Sequence, residues 1–305
     1  MLYFRYYSSI YKNKRRIRKV KYEEATKKAN ILIEALPYLK KFHKKIFVIK
    51  YGGSILSDPR IRSQVLEDIV FLAFSGIRPV LVHGGGTNIN ERLKKIGVKS
   101  EFYEGMRITS KEILEVVEEE LDKINDILVK EIENMGANVQ GFKTKERIFI
   151  VSKKCLPHID LGFVGSIKDV NTTKVISACN EHKIPVISPM GVSQDDIKFN
   201  VNADEAASFL SAKLKAEKLV FLTNVRGLVR KFENEEVLIS SIDEKKAEEL
   251  IREGVIFEGM IPKVRFGCLA LKKGVGKVHI LDARIPHSLL LEIFTDEGIG
   301  TEIVK

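Results

Sequence analysis

The chain has 305 residues, of which 44% are hydrophobic and 30% charged, and a formal net charge of +10. This composition is ordinary for a globular protein, and it excludes a membrane-spanning one, because no apolar run approaches the roughly 20 residues that a spanning helix needs. Three widely separated cysteines fit neither a disulfide framework nor a zinc site, so they favour a reducing compartment.

The positive charge is concentrated at the N-terminus. Residues 1–45 hold 14 of the 51 basic residues and 3 of the 41 acidic ones, so the rest of the chain is nearly neutral. This distribution argues against a nucleic-acid-binding body. Residues 1–22 have eight Lys and Arg and no acid, which predicts a solvated tail. A cleaved organelle-targeting peptide and a basic arm for acidic partners are the alternatives.

From Glu23 to Leu39, apolar residues recur at spacings of three and four. This pattern predicts an amphipathic helix over 23–44, which Pro37 should kink. Because the helix precedes the first strand, it has no core of its own to cover. We therefore expect it to pack across the domain or against a partner subunit.

After residue 45, short apolar runs alternate with helical patterns. Strands are predicted at 46–50, 79–83, 147–152, 184–188, 218–223 and 278–281, and helices at 60–74, 88–97, 110–135, 204–214, 243–252 and 261–272. This alternation predicts an α/β fold, a three-layer αβα sandwich around a mainly parallel sheet. No repeat or clear linker divides the chain, so 45–305 is predicted to be one continuous domain.

Two glycine clusters follow the first two predicted strands, in the sequences Lys50-Tyr51-Gly52-Gly53-Ser54 and His83-Gly84-Gly85-Gly86-Thr87. Ligands of open α/β sheets bind at the carboxyl ends of the strands. Backbone N–H groups of glycines there can approach an anion closely. Neither cluster matches a Walker A loop or GxGxxG, and each alone also fits an ordinary strand-to-helix turn. Together, with Lys50 at the strand end, they favour phosphate handling.

Five polar residues lie where a core would not place them. Asp204 fits a helix N-terminus that Asn202 caps, but Asn200 then has no structural role. Arg107 follows a glycine and is either a solvated loop residue or a clamp for a carboxylate. Lys263 lies in the first turn of a helix, where the helix dipole opposes its charge, and this position favours a functional role.

Nine segments in order over 49–304 resemble one known family. They are KYGGSIL, VHGGGTNIN, EGMRIT, LGFVGSI, PVISPMG, NVNADEAA, LTNVRGL, GMIPKV and LLLEIFTDEGIGTEIV. Together they closely resemble the N-acetyl-L-glutamate kinases of the amino acid kinase family. The resemblance implies transfer of the γ-phosphoryl group of ATP to the side-chain carboxylate of N-acetyl-L-glutamate, the second step of the acetylated arginine pathway.

The resemblance also implies roles for single residues. Lys50 and Lys263 would stabilise the transferring phosphoryl group, and Asp204 would orient both lysines. Substrate would be bound by Gly85, Gly86, Arg107 and Asn200. Nucleotide would be bound by Gly52, Gly53, Asn224, Val225 and Gly227, with the ATP lobe at about 190–305 and the substrate and dimer lobe before it. Magnesium would be held by phosphates and water, with no metal ligand from the chain.

Arginine-inhibited members of this family carry an extra N-terminal helix that joins dimers into a hexamer, and the helix over 23–44 resembles it. His279, Glu292 and Gly298 are at positions that resemble their arginine pocket. The resemblance thus implies an allosteric homohexamer inhibited by L-arginine. The ordinary interpretations are a strand histidine at 279 and a solvated helix residue at 292.

Three residues depart from the family pattern. Glu258 and Ala283 stand where glycine is usual, and Asn224 where aspartate is common. Among alternative functions, an N-acetyl-α-aminoadipate kinase of lysine synthesis would need one methylene more of room, worth roughly 1–3 kcal/mol. A non-catalytic scaffold would not need the lysine–aspartate set, and a nucleic-acid binder would rely on the tail alone. We expect a cytoplasmic enzyme, or an organellar one if the tail is a targeting segment.

Overall fold

The structure is a computed structural model that describes residues 22–232, 235–295 and 298–305. Its helices are α1 Tyr22–Glu34, α2 Leu36–Phe42, α3 Ser54–Ser57, α4 Pro59–Phe74, α5 Gly86–Lys95, α6 Lys111–Asn134, α7 Thr173–Asn180, α8 Ala203–Lys213, α9 Glu244–Arg252, α10 Met260–Lys272 and α11 Ser288–Phe294. No helix within these ranges is long and apolar enough to cross a membrane. Residues 1–21 of the predicted basic tail lie outside the described residues.

Sixteen strands are present in the described part of the chain. They are β1 Ile46–Tyr51, β2 Arg78–His83, β3 Phe102–Tyr103, β4 Met106–Arg107, β5 Val139–Phe142, β6 Phe149–Leu156, β7 Ile159–Val170, β8 Ile184–Ile187, β9 Met190–Val192, β10 Lys198–Asn200, β11 Lys218–Thr223, β12 Leu228–Phe232, β13 Glu235–Ile239, β14 Ser241–Ile242, β15 Lys277–Asp282 and β16 Thr301–Ile303.

Eight strands form one large sheet in the order β14-β16-β15-β11-β1-β2-β8-β5. The six strands from β15 to β5 are parallel, and β16 runs antiparallel to β15 at one edge. The predicted α/β fold with a mainly parallel sheet is confirmed. Because β1 and β2 are central neighbours, the two glycine clusters emerge side by side at the same edge of the sheet.

The core lies on both faces of this sheet. Along β1, Val48 packs in one cluster with helices α7 to α10, whereas Phe47 and Ile49 pack in a second cluster with α4, α6 and α11. Alternate side chains of a strand point to opposite faces, so the two clusters are the two interfaces of a three-layer sandwich. Each large apolar side chain buried there contributes about 1.5–3 kcal/mol.

A second, smaller sheet was not expected from the sequence. Strands β6, β7, β9 and β10 form a closed four-stranded barrel, built around the long antiparallel pair β6 and β7. Asn200, at the end of β10, pairs with Val164 of β7. The barrel therefore delivers one of the predicted substrate-binding residues to the site.

The predicted N-terminal helix is present as two helices. α1 ends at Glu34, and α2 begins at Leu36 with Pro37 in its first turn. The kink expected from Pro37 is thus present as an interruption at Ala35. Phe42, at the end of α2, is buried and meets the ring of Phe47 edge-on at 5.2 Å. In contrast, three apolar residues of α1 are more than 60% exposed, namely Ile31, Leu32 and Ile33.

Candidate active site

Three charged residues meet at the edge of the sheet where β1 ends. Lys50 is on β1, Asp204 in the first turn of α8, and Lys263 in the first turn of α10. The Asp204 carboxylate joins the two lysines: Oδ1 is 2.9 Å from Lys50 Nζ, and Oδ2 is 2.7 Å from Lys263 Nζ. Residues separated by as many as 213 positions thus form one ion-paired cluster.

Burial shifts the pKa values of two residues in this cluster. Asp204 and Lys50 are 5% and 8% exposed. Burial lowers the pKa of Lys50. The nearby Lys263 lowers this pKa further, whereas Asp204 opposes both effects. Burial by itself would raise the pKa of Asp204, but the two lysines outweigh it and hold this pKa at about 2. The aspartate is therefore ionised at neutral pH and compensates one of the two positive charges.

The two glycine loops approach each other beside this cluster. A Cβ added to Gly52 would lie 3.1 Å from the backbone of Gly84 and 3.5 Å from Lys50 Nζ. Helix α5 begins at Gly86, two residues earlier than predicted, so the second loop is the N-terminus of a helix. No described residue accepts a hydrogen bond from the N–H of Gly85 or Gly86. Free N–H groups at a helix N-terminus attract anions.

Arg107 lines the same cavity as Lys50 and Asp204. Its guanidinium donates to Ser100 Oγ and, at 3.4 Å, to the carbonyl of Gly86, and it lies over the Phe102 ring. The residue is 6% exposed, so the alternative of a solvated loop arginine is wrong. Burial lowers the pKa of Arg107 to about 10, which leaves it charged at neutral pH. No described acidic side chain forms an ion pair with it.

These groups surround one cavity of about 210 Å³. Its polar lining includes Lys50, Asp204, the glycines of the second loop, Arg107 and Asn200. Asn200 donates to Thr109 Oγ1 at 3.2 Å, and Asn202 caps α8 by accepting from the N–H groups of residues 204 and 205. The predicted cap at 202 is confirmed. The cavity is lined by two cationic side chains, Lys50 and Arg107, so it can bind a dianion or two anions.

Of the five residues predicted for the nucleotide, only Gly53 is among the described residues that line this cavity, and Gly52 is the one that lies close to Lys50. Asn224 Nδ2 is 3.5 Å from Ser54 Oγ, so the loops after β1 and β11 meet. Val225 is 37% exposed. Gly227 has φ +118°, and a Cβ there would lie 2.6 Å from Thr301 Oγ1, so this position requires glycine.

The C-terminal candidates form a separate buried cluster. Glu292 Oε1 is 2.6 Å from His279 Nδ1, and its Oε2 accepts from the N–H of Ile299. Gly298 lies beside Glu292, since a Cβ there would be 3.3 Å from Glu292 Oε2. The alternative of a solvated Glu292 is wrong, because its side chain is only 8% exposed. Burial is the main cause of the lowered pKa of His279.

Sequence reasoning missed Lys218 in this cluster. Its Nζ is 3.0 Å from His279 Nε2 and 5.5 Å from the centre of the Phe42 ring. Burial lowers the pKa of Lys218 to about 8. A lysine that opens an otherwise apolar strand was the available signal. The contact also joins the end of α2 to the cluster.

Two departures from the family pattern differ in their surroundings. Glu258 is exposed, has φ +43° in the left-handed region, and lines a second cavity of about 640 Å³ beside α10. This conformation is uncommon for a non-glycine residue. Ala283 is 1% exposed and follows the end of β15 without a positive φ. Thus Glu258 is the strained departure, and Ala283 is a mild one.

Comparison with known proteins agrees with this geometry. Residues 45–282 match the model of the amino acid kinase family. The acetylglutamate kinase of Aquifex aeolicus is 46% identical over 296 residues, covering 92% of this chain and 98% of the relative. The acetylglutamate kinase of Petrotoga mobilis is 42% identical over 286 residues, covering 93% and 96%.

A solved structure has the same fold. The N-acetylglutamate synthase of Neisseria gonorrhoeae, complexed with coenzyme A and N-acetyl-glutamate, superposes with a TM-score of 0.82 at 24% identity, covering 91% of this chain and 63% of the synthase. The same synthase complexed with coenzyme A and L-arginine gives 0.79 at 23% identity over 91% of this chain and 65% of the synthase. By its kinase relatives and the matched family model, the chain belongs to the amino acid kinase family and, within it, to the acetylglutamate kinases.

Proposed function

We propose that this chain phosphorylates the side-chain carboxylate of N-acetyl-L-glutamate with ATP, giving N-acetyl-L-glutamyl 5-phosphate. The observation that carries the proposal is the cavity lined by the helix N-terminus at Gly86, by Arg107, and by Lys50 and Asp204. Asp204 forms ion pairs with both Lys50 and Lys263. Substrate and nucleotide are both anions, and the groups in this cavity suit both.

The chemistry follows from the charges. A carboxylate with a pKa near 4.3 is already ionised at neutral pH, so the nucleophile needs no general base. The reaction needs in-line placement and stabilisation of the charge on the phosphoryl group. Lys50 and Lys263 supply two positive charges there, and Asp204 fixes both ammonium groups within 2.9 Å of its oxygens.

Other groups in the cavity bind the substrate. The free N–H groups of Gly85 and Gly86 stabilise the reacting carboxylate, and Arg107 binds the second carboxylate of the substrate. Arg107 supports this role because it is a buried guanidinium with no acidic partner among the described residues. Asn200 binds a further polar group. The nucleotide lies against Gly52, Gly53, Asn224, Val225 and Gly227.

The chain offers no metal cage of its own at this site. Both oxygens of Asp204 are occupied by lysines, and no group of three or more His, Cys, Asp or Glu in the described ranges is arranged to hold a metal. These residues do not fit a protein-held ion. Magnesium would arrive with ATP, held by phosphate oxygens and water.

We also propose inhibition by L-arginine at the cluster of His279, Glu292 and Gly298. A buried carboxylate is the partner that a guanidinium prefers, and Lys218 is placed to bind a carboxylate of the same ligand. The synthase complexed with arginine has the same fold.

The exposed apolar residues of α1 support a further proposal, that this helix joins dimers into a homohexamer. The free cysteines suit a cytoplasmic location.

The test is ATP-dependent formation of an acyl phosphate, trapped with hydroxylamine. N-acetylglutamate is expected to react faster than N-acetyl-α-aminoadipate, and arginine is expected to suppress the reaction. The Glu292→Gln variant should keep its turnover and lose the inhibition, whereas Glu248→Gln, an exposed control paired with Arg265, should keep both. Failure to turn over either acid would contradict the kinase assignment, and preference for the longer acid would contradict the substrate.

A further inference from the structure

His83 ends β2, directly before the glycines of the second loop, and it is completely buried. Its Nδ1 is 3.2 Å from the carbonyl oxygen of Gly84. On the other side of the ring, Nε2 is 3.0 Å from Ser188 Oγ and 3.2 Å from Asn125 Nδ2. The imidazole does not line the cavity. The chemistry proposed above gives it no part, although it is next to the groups that bind substrate.

The hydrogen bonds determine which ring nitrogen carries the proton. A carbonyl oxygen can only accept, so Nδ1 must donate to Gly84. Nε2 therefore accepts, from the hydroxyl of Ser188 and the amide of Asn125. Burial lowers the pKa of His83 to about 4, which is consistent with a neutral ring in a single tautomer at neutral pH.

The orientation of Asn125 supports this tautomer. Its Nδ2 donates to the carbonyl of Val186 at 3.0 Å, which prevents the amide from turning its oxygen towards the ring. The opposite atom, Oδ1, is buried without a hydrogen-bond partner among the described residues. Such an unpaired atom costs about 1–3 kcal/mol. The orientation that leaves Oδ1 unpaired is also the one that lets Nδ2 donate to His83.

Holding the Gly84 oxygen also fixes a donor in the cavity. The carbonyl of Gly84 and the N–H of Gly85 belong to the same planar trans peptide and point in opposite directions. Since His83 holds the oxygen on the buried side, the N–H of Gly85 points away from the core, and Gly85 lines the cavity. Glycines flank this peptide on both sides, so neither flanking residue has a side chain that would prevent it from flipping. The N–H of Gly84 donates to Tyr51 and the carbonyl of Gly85 accepts from Ile89, but these bonds hold the neighbouring peptides.

We propose that His83 is a positioning residue, whose Nδ1–H holds the Gly84–Gly85 peptide with its N–H towards the reacting carboxylate, while Ser188 and Asn125 fix the required tautomer. The inference rests on the proposed kinase function. It makes a buried histidine responsible for a backbone donor that acts on charge in the transition state.

Two variants separate this role from packing. Asparagine at 83 has an amide NH₂ attached to Cγ, where the imidazole has Nδ1, so His83→Asn can still donate to Gly84. His83→Gln extends the amide towards the position of Nε2 and loses that donor. Removing one such donor typically lowers kcat by about 10²–10³. We expect that loss for His83→Gln, a loss below about tenfold for His83→Asn, and an unchanged Kd for ATP in both.

The measurements are kcat and KM from hydroxylamine trapping, Kd for ATP by calorimetry, and urea unfolding. Both variants remove the ring, so a packing role predicts equal losses, and equal kcat values in folded variants would overturn the proposal. If both histidine variants unfold, Ser188→Ala tests the positioning role instead, because it keeps the imidazole ring. It should lower kcat about 3–10-fold, as expected for one hydrogen bond, and an unchanged kcat would overturn the proposal. Absence of turnover in the unmodified protein would instead contradict the kinase function.

Discussion

The charge on Asp204 is expected to stabilise both the fold and the transition state, and Asp204→Asn tests this. Asparagine is nearly isosteric and neutral, so it mimics the protonated acid. The pKa of Asp204 is held at about 2, against about 3.9 for an unperturbed aspartate. This difference corresponds to about 2–3 kcal/mol of folding free energy. We expect the variant to lose this amount in urea unfolding at pH 7.

The direction of the pKa shift of Asp204 determines the pH range in which its contribution to stability is lost. A carboxyl group whose pKa is lower in the folded state stabilises the fold above its unfolded pKa, and that contribution is lost as pH falls from about 4 to about 2. The difference between the unmodified chain and Asp204→Asn should therefore be constant from pH 5 to pH 8. A difference below about 1 kcal/mol at pH 7, or one that changes across this range, would refute the reasoning.

Two further variants show where the energy comes from. In Asp204→Asn, Lys50 and Lys263 face each other without a counterion, so adding Lys263→Met should recover part of the lost stability. Asp243, which caps α9 at the surface, gives the matched control, because asparagine caps a helix equally well. Asp243→Asn should change neither stability nor kcat. For Asp204→Asn we expect kcat to fall at least 100-fold, since both lysines lose their orientation, and a fall below threefold would contradict the orienting role.

Three other predictions concern the substrate and the assembly. Lys263→Ala should lower kcat by about 10²–10³ with little change in the KM values, and the reverse pattern in steady-state kinetics would contradict a transition-state contact. Arg107→Ala should act mainly on substrate affinity, raising KM for N-acetylglutamate at least tenfold, and an unchanged KM would exclude the carboxylate clamp. Deletion of residues 1–44 should convert hexamers into dimers in sedimentation velocity, and a hexamer that persists would exclude the assembly role of α1.

Five of the six parallel strands were predictable because they are buried on both faces, whereas β5, with only one buried residue, was not predicted. β1, β2, β8, β11 and β15 are short apolar runs between helical patterns, and all five were predicted within two residues of their observed ends. Burial from two helical layers selects continuous apolar sequence. The six helices predicted after residue 45 were found equally well, since the 3.6-residue period and the caps agree, as at Ser110, which caps α6. The shorter helices α3, α7 and α11 were not predicted.

The barrel was harder to predict. β7 is twelve residues long and was missed entirely, and β6 extends four residues beyond its predicted end, through the exposed Lys153 and the half-buried Lys154. These strands pack one face on a small interior and leave the other partly open, so their sequence has neither a continuous apolar run nor helical spacing. The hairpin of β12 and β13 is similar, because most of its described side chains on β13 are exposed.

The site was predictable only in part for a related reason. The rule for strand ends brought the two glycine loops and Lys50 together. In contrast, local sequence carries no signal that Asp204 and Lys263 meet, because 59 residues separate them, and only the family resemblance paired them. Lys218 did leave a signal, because it opens an otherwise apolar strand. His83 was missed because a histidine within a strand looks the same in sequence whether it is buried or not.

The balance of charge explains how this site tolerates two lysines before any ligand binds. Two ammonium groups near each other in a buried site repel, and burial penalises each. One aspartate between them reduces the local charge to a single positive unit, which the fold can hold. The remaining charge, the helix N-terminus at Gly86 and Arg107 are all compensated only by anions. The cavity is therefore electrostatically complete only when phosphate and carboxylate groups occupy it together, and that requirement favours the transition state over either ligand alone.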